Sequence, residues 1–273
     1  MAVDIQADRS AAQVPGLRPG RGPTGGLPSG GVRGLALVTG ASSGIGAAVA
    51  ERLAREGYRL LLAGRDSARL AAVAAPLGAA TVTADLAHAE GVEAVARAAR
   101  ERGEPLTLVA HAAGRGWFGP VAAMDGAVAQ ELISVNLLAP IRLTSLLLDA
   151  LHGSGGRVVF VSSVATLGVA HEAAYSASKA GLRTFADALR LESGIGVTTV
   201  FPSAVDTDFF RRRGRPYDRR FPRRVPAAKV ADALVDGVSR GRAEVFVPRW
   251  PRLAALTHAG LPAVYRLLAR RFG

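Results

Sequence analysis

The chain has 273 residues, enough to bury one large core or two small ones, and its 49% hydrophobic and 21% charged residues suit an ordinary globular protein. It has no cysteine, which excludes disulfides and thiolate metal sites and is compatible with a reducing, cytoplasmic setting, and its five histidines lack paired-ligand spacing, so no metal is expected. The net charge of +12 comes almost wholly from arginine, since Lys179 and Lys229 are the only lysines, and its spread along the chain argues against a nucleic-acid-binding patch.

Residues 1–33 are rich in Gly, Pro and Arg, lack an apolar period and predict a disordered arm without a secretory apolar region. From residue 35, short apolar runs recur at 35–39, 58–63, 80–84, 106–110, 157–162, 197–201 and 243–247. Their hydrophobicity is continuous rather than alternating, which predicts strands buried on both faces of a parallel sheet. Ala-rich helical stretches fall between them at 45–56, 66–75, 88–102, 127–151, 173–192 and 227–240. The expected class is α/β, one doubly wound domain over 34–249 that includes a substrate loop at 208–226. No run reads as long and apolar enough to span a bilayer. The tail, 250–273, predicts a short amphipathic helix interrupted at Pro262. It is expected to pack on the body or a second subunit, with peripheral membrane contact as the alternative.

Residues 35–57 read as strand, glycine turn and helix, with Gly40, Gly44 and Gly46 spaced GxxxGxG. Glycines let a ligand approach the backbone, and the helix that follows turns free N–H groups and its positive dipole end toward a pyrophosphate. Ser42 and Ser43 can add donors. The second strand ends in Gly64, Arg65 and Asp66. A carboxylate at its end would select a free ribose 2′-hydroxyl, whereas Arg65, helped by Arg69, suits a 2′-phosphate, so NADP (NADPH) is expected over NAD. Asp66 is expected to start the next helix, facing away from the pocket. Asp85 reads as a partner for an adenine amino group or as a helix cap. The small residues of 110–114 let a strand end approach adenine and ribose, and His111 reads as a local hydrogen-bonding residue.

Tyr175 and Lys179 lie i, i+4 on a predicted helix and so point the same way. An ammonium beside a phenol favours the phenolate and lowers its pKa toward the working range. Lysine's compact charge suits this better than arginine's rigid fork, and it can also reach ribose hydroxyls. Ser162 and Ser163 close the 157–162 strand, at the sheet edge where ligands of parallel α/β proteins bind. Asn136 interrupts a helical stretch, where it could bend the helix and hold a water.

With TGASSGIG (39–46), DL (85–86), AAG (112–114), Asn136, the VSS serines, YSASK (175–179) and FPSAVDT (201–207), the chain resembles the classical short-chain dehydrogenase/reductases over about 34–247. The resemblance implies a Rossmann fold with seven parallel strands and helices on both faces, and a homodimer or homotetramer. It implies a catalytic tetrad of Asn136, Ser163, Tyr175 and Lys179. Tyr175 would exchange a proton with the substrate oxygen, the serine would hold that oxygen, Lys179 would lower the phenol pKa and grip the nicotinamide ribose, and Asn136 would position a relay water. Cofactor contacts are implied for Gly40, Ser42, Ser43, Gly44, Ile45, Gly46, Arg65, Asp85, Leu86, Ala112, Gly114, Pro202, Val205 and Thr207, besides Asn136, Tyr175 and Lys179.

Three departures stand out. The family's NNAG-like segment is HAAG (111–114), which predicts a looser region there. The usual Pro-Gly is Pro202-Ser203. Ser163 lies one residue closer to the tyrosine than in relatives; an ungapped strand makes it the catalytic serine, with a one-residue deletion in 165–172, and Ser162 stays open as the alternative.

The stretch 208–224 holds eight arginines against Asp208 and Asp218. It reads as a solvated lid, as a rim steering an anionic or carrier-bound substrate, or as a surface for anionic lipid. Phe209, Phe210, Tyr217 and Phe221 would form an apolar pocket floor. The activity implied is hydride transfer between a nicotinamide cofactor and a small-molecule ketone, aldehyde or alcohol. A cofactor-binding protein that has lost turnover and acts as a regulator is the alternative.

Overall fold

A computed structural model describes residues 33–218, 220, 222–261 and 263. Residues 1–32 of the arm expected at 1–33, Phe221 and most of the tail beyond Leu261 lie outside the described residues. Arg33 is tied into the domain: its carbonyl accepts from Thr107 Oγ1 at 2.6 Å and its guanidinium lies 3.2 Å from Glu56.

In chain order the elements are β1 (Leu35–Thr39), α1 (Gly44–Arg55), β2 (Arg59–Gly64), α2 (Ser67–Ala74), β3 (Ala80–Thr83), α3 (Ala89–Glu101) and β4 (Leu106–His111). Then come α4 (Gly126–Ile133), a π-helical turn (Ser134–Leu138), α5 (Ala139–Ser154), β5 (Arg157–Val161), α6 (Ala173–Glu192) and β6 (Gly196–Pro202). Two-residue strands β7 (Val205–Asp206) and β8 (Val225–Pro226) pair with each other and bracket α7 (Phe209–Arg212). The chain continues through α8 (Ala227–Ser239), β9 (Glu244–Val247) and α9 (Pro251–Gly260).

The seven long strands form one parallel sheet in the order β3-β2-β1-β4-β5-β6-β9. Side chains alternate along each strand, and here both faces are covered. Ala36 and Val38 of β1 pack with α1, α2 and α8, whereas Leu35 and Leu37 pack with α3, α5 and α6. That double burial is why the strands read as unbroken apolar runs.

The helix expected at 127–151 is a continuous helical stretch interrupted by the π-helical turn around Asn136. By length and hydropathy alone, 126–154 would cross a membrane, contrary to the sequence reading. Leu132, Leu143, Leu147 and Leu151 are nevertheless buried in the domain, so this stretch serves the core. The sheet reverses its winding direction between β1 and β4, and a crevice opens at the carboxyl ends of those strands.

Candidate active site

A cleft of about 970 Å³ runs along the carboxyl ends of the strands, from the β1–α1 turn to the start of α9. At one end, Gly40 (φ +67°) and Gly44 (φ +60°) take left-handed conformations that a side chain would strain. A Cβ on Gly40 would stand 2.6 Å from the Ala113 backbone, so the turn and the exit of β4 lie in direct contact. Gly46 does not line the cleft. A Cβ there would come 2.2 Å from the Gly40 carbonyl oxygen, so Gly46 lets α1 pack on its own turn rather than touching a ligand. Ser43 caps α1 by backbone position, but its hydroxyl makes no capping bond.

Ser42, Ser43, Ile45, Leu86, Ala112, Gly114, Pro202, Val205 and Thr207 all line this cleft. Arg65 stands on its wall, 3.2 Å from Glu131 of α4 and 3.6 Å from Asp85. Asp66 caps α2 as expected, accepting from the Arg69 backbone N–H at 2.9 Å, a bond that holds its carboxyl below the usual carboxylate range. Arg69 also lines the cleft, its side chain held by Asp66 at 2.7 Å. Asp85 lines the cleft but does not cap α3, whose N-cap is His88; its Oδ1 instead accepts from Ala87 N–H at 2.9 Å.

The HAAG segment is not loose. His111 is fully buried, stacked on Phe160 with ring centres 5.0 Å apart, and bonded through Nε2 to Thr144 Oγ1 at 3.0 Å. Burial pushes its pKa down to about 3, which keeps it neutral and structural.

The other end of the cleft holds Tyr175, Lys179 and Ser163. Ser163 lies near the Tyr175 hydroxyl and acts to lower its pKa, and Ser163 Oγ accepts from Ala165 N–H at 3.1 Å. Ser162 is buried and donates instead to the Lys179 carbonyl at 3.0 Å. Of the two serines, Ser163 therefore meets the phenol. The short loop from there to α6 passes through His171 at φ +65°, the only non-glycine residue with positive φ among the described residues.

Lys179 is buried, donates from Nζ to the Val161 carbonyl at 2.9 Å, and lies 5.9 Å from the Tyr175 ring centre. Burial lowers its pKa to about 8. The phenol does not follow the expected direction. Desolvation dominates and pushes it up, the Ser163 side chain and the Arg213 charge oppose that rise, and the Glu172 carboxylate adds to it. An ammonium pointed at a backbone carbonyl is a weak counterweight to full burial.

Asn136 is fully buried at the π-helical turn and does not line the cleft. Its Nδ2 donates to the Arg115 carbonyl at 2.8 Å and to Ser178 Oγ at 3.1 Å, and its Oδ1 accepts from Arg115 N–H at 2.8 Å. Both amide hydrogens are thus taken up in tying α4–α5 to the 115 loop and to α6. The side chain thus braces these elements against one another.

The residues present fit a dinucleotide. The glycine turn would be filled by a single Cβ, and Ser203 Oγ lies buried at the cleft wall without a partner among the described residues. The short chain dehydrogenase family profile matches residues 34–218. The chain belongs to the short-chain dehydrogenase family. The putative ketoacyl reductase of Streptomyces coelicolor is 36% identical over 185 residues, covering 63% of this chain and 71% of that protein. The ketoacyl reductase HetN of Nostoc is 33% identical over 240 residues, covering 81% and 80%. A short-chain dehydrogenase from Sphingobium yanoikuyae in complex with NADPH superimposes with a TM-score of 0.75 at 32% identity, covering 84% of this chain and 94% of that one.

One feature of this dehydrogenase escaped the sequence reading. Glu172, just before α6, forms a buried ion pair with Arg213, just after α7. Arg213 also lies over Phe118 and Phe210, at 5.0 and 4.6 Å from the ring centres. Phe209, Phe210 and Tyr217 line the cleft as expected, and Phe209 packs on Tyr175 with centres 5.5 Å apart. Trp250 and Pro251 at the start of α9 complete the wall.

Proposed function

We propose that the protein is an NADPH-dependent reductase that interconverts a ketone or aldehyde with an alcohol, with an acyl-chain ketone as the favoured substrate class. The contact between Tyr175 and Ser163, at the end of a cleft that begins on a glycine turn, carries this reading. Two ketoacyl reductases among its relatives support the substrate class, and an NADPH-bound structural relative supports the cofactor. Phe118, Leu167, Val169 and Phe210 give the substrate end an apolar lining suited to an acyl chain.

When bound, the nicotinamide supplies or accepts the hydride. Ser163 Oγ would hold the substrate oxygen beside the phenol, and Tyr175 would give its proton to that oxygen as the carbonyl becomes an alcohol. Lys179, with its pKa near 8, would carry positive charge near neutrality and stabilise the phenolate left behind. Asn136 and Ser178 would hold α6 and the 115 loop in register. Arg65 would turn from Glu131 and Asp85 toward a 2′-phosphate, with Gly64 standing in the position of a selecting carboxylate.

The test is a panel of aliphatic, aromatic and 3-ketoacyl thioester carbonyls with NADPH and NADH, followed by cofactor absorbance. Turnover with NADPH at least tenfold more efficient than with NADH is expected, since a charge-assisted phosphate contact is worth roughly tenfold or more. Tyr175→Phe is expected to lose about 10²–10⁴-fold in kcat with NADPH affinity kept. Tight NADPH binding without turnover of any carbonyl would instead indicate a regulatory protein.

A further inference from the structure

Six arginines line the cleft, and five of them have a carboxylate partner: Arg65 and Arg115 on Glu131, Arg69 on Asp66, Arg213 on Glu172 and Arg215 on Asp218. Arg212 is the exception among the described residues. Its guanidinium reaches from α7 across to the glycine turn, where both NH groups donate to Ser43 Oγ at 3.3 Å. Five donors meeting one neutral hydroxyl through two long bonds is weak compensation for a cation. The position adds to this, because Ser43 is the N-cap of α1 and the dipole end there is itself positive. Two positive groups facing each other across a single hydroxyl are an arrangement that an anion between them stabilises.

The segment carrying Arg212 is fastened on both sides. Thr207, at its start, lies against Gly44, where a Cβ would meet its methyl at 3.1 Å. One residue beyond Arg212, Arg213 is locked to Glu172. The guanidinium is therefore delivered to the turn by the same stretch that packs Phe209 on Tyr175.

We infer that Arg212 is a ligand of the cofactor pyrophosphate, supplied from the substrate-side segment, so that dinucleotide binding and the ordering of 209–215 reinforce each other. The inference rests on the dinucleotide reading of the cleft. A group that touches both the segment and the anion makes the coupling reciprocal: what holds the segment down tightens the cofactor, and the reverse. The pocket that Phe209 and Phe210 line would then be held more firmly in the cofactor-loaded protein.

Two measurements on the full chain test this. The first is titration with NADPH, and with ADP-ribose as a pyrophosphate probe lacking nicotinamide, for the unmodified protein, Arg212→Gln and Arg212→Lys. Arg212→Gln is expected to weaken both ligands about tenfold or more, and Arg212→Lys to recover part of the loss. The second is tryptic cleavage within 211–224, each protein being compared with its own ligand-free rate at saturating NADPH. The unmodified protein is expected to be protected several-fold by NADPH. Arg212→Gln, equally saturated and with an unchanged melting temperature, is expected to be cut at its ligand-free rate. Unchanged affinity, or weakened affinity with protection retained, would overturn the inference. Absence of NADPH and NADH binding to the unmodified protein would overturn the cofactor reading itself.

Discussion

Burial of a neutral imidazole at the centre of the sheet couples one residue to the pH stability of the whole domain. His111 holds its place through Phe160 and Thr144, and its folded pKa of about 3 lies far below the 6.5 of an exposed histidine. The folded state resists protonation that the unfolded chain accepts, so stability is fully present above about pH 6.5 and is lost as pH falls toward 3. His111→Asn, which keeps a donor within reach of Thr144 but does not titrate, is expected to lower the midpoint of acid unfolding. Circular dichroism across pH 7 to 3 reads this directly, and a midpoint unchanged from the parent would show that other groups set acid stability. Lys179 is a second cationic group whose pKa burial lowers. Its folded pKa of about 8 lies below the ordinary 10.5, so the cost of burying it is fully present below about pH 8 and is relieved as pH rises from 8 to 10.5. So costly a lysine, in a chain with only one other, fits the proton-transfer role proposed for it.

At the scale of elements, the pair of Glu172 and Arg213 joins the start of α6, which carries Tyr175 and Lys179, to the short helix α7 that closes over them. Removing one member of a buried pair leaves the other uncompensated, at a cost of about 3–5 kcal/mol, whereas replacing both by apolar side chains is often nearly neutral. Glu172→Gln is therefore expected to speed amide exchange across 209–215 at least tenfold while the strands stay protected. Glu172→Leu with Arg213→Met should restore most of the protection, and equal exchange in all three proteins would show that the pair does not hold α7. Nothing in the sequence announced this contact. The partners are 41 residues apart, and each reads alone as an ordinary surface charge. The strands were legible because burial on both faces writes itself as an unbroken apolar run, as in LALVT. The glycine turn was legible because left-handed backbone at Gly40 and Gly44 demands glycine. Asn136 gave a local hint of irregularity, but the π-helical turn depends on hydrogen bonds from the 115 loop and Ser178 that only the fold brings together. HAAG misled for a related reason: a histidine replacing an asparagine looked like a lost contact until Thr144 and Phe160 supplied new ones.

At the scale of the whole molecule, the charge of +12 and the eight arginines of 208–224 suggest strong attraction for any anion, yet their pairing narrows where that attraction acts. Arg211 is held by Asp208, Arg213 by Glu172, Arg215 by Asp218 and Arg224 by Asp206. These four of the eight are locally compensated, and compensated charges add little to a directed field. The long-range field of the net charge remains, and it acts most on the most highly charged ligand, the cofactor. At about 0.1 M salt the Debye length is roughly 10 Å, and exposed charges beyond that distance are largely screened. Raising NaCl through this range is expected to lower kcat/KM for NADPH several-fold while kcat at saturating NADPH stays constant, because only the encounter is slowed. With NADPH saturating, kcat/KM for a neutral ketone should be indifferent to salt, and an anionic ketone should follow the neutral one closely. Initial rates across an ionic-strength series at fixed pH measure all three. An anionic ketone whose kcat/KM falls as steeply as that of NADPH would show that the arginine rim steers substrate despite its pairing.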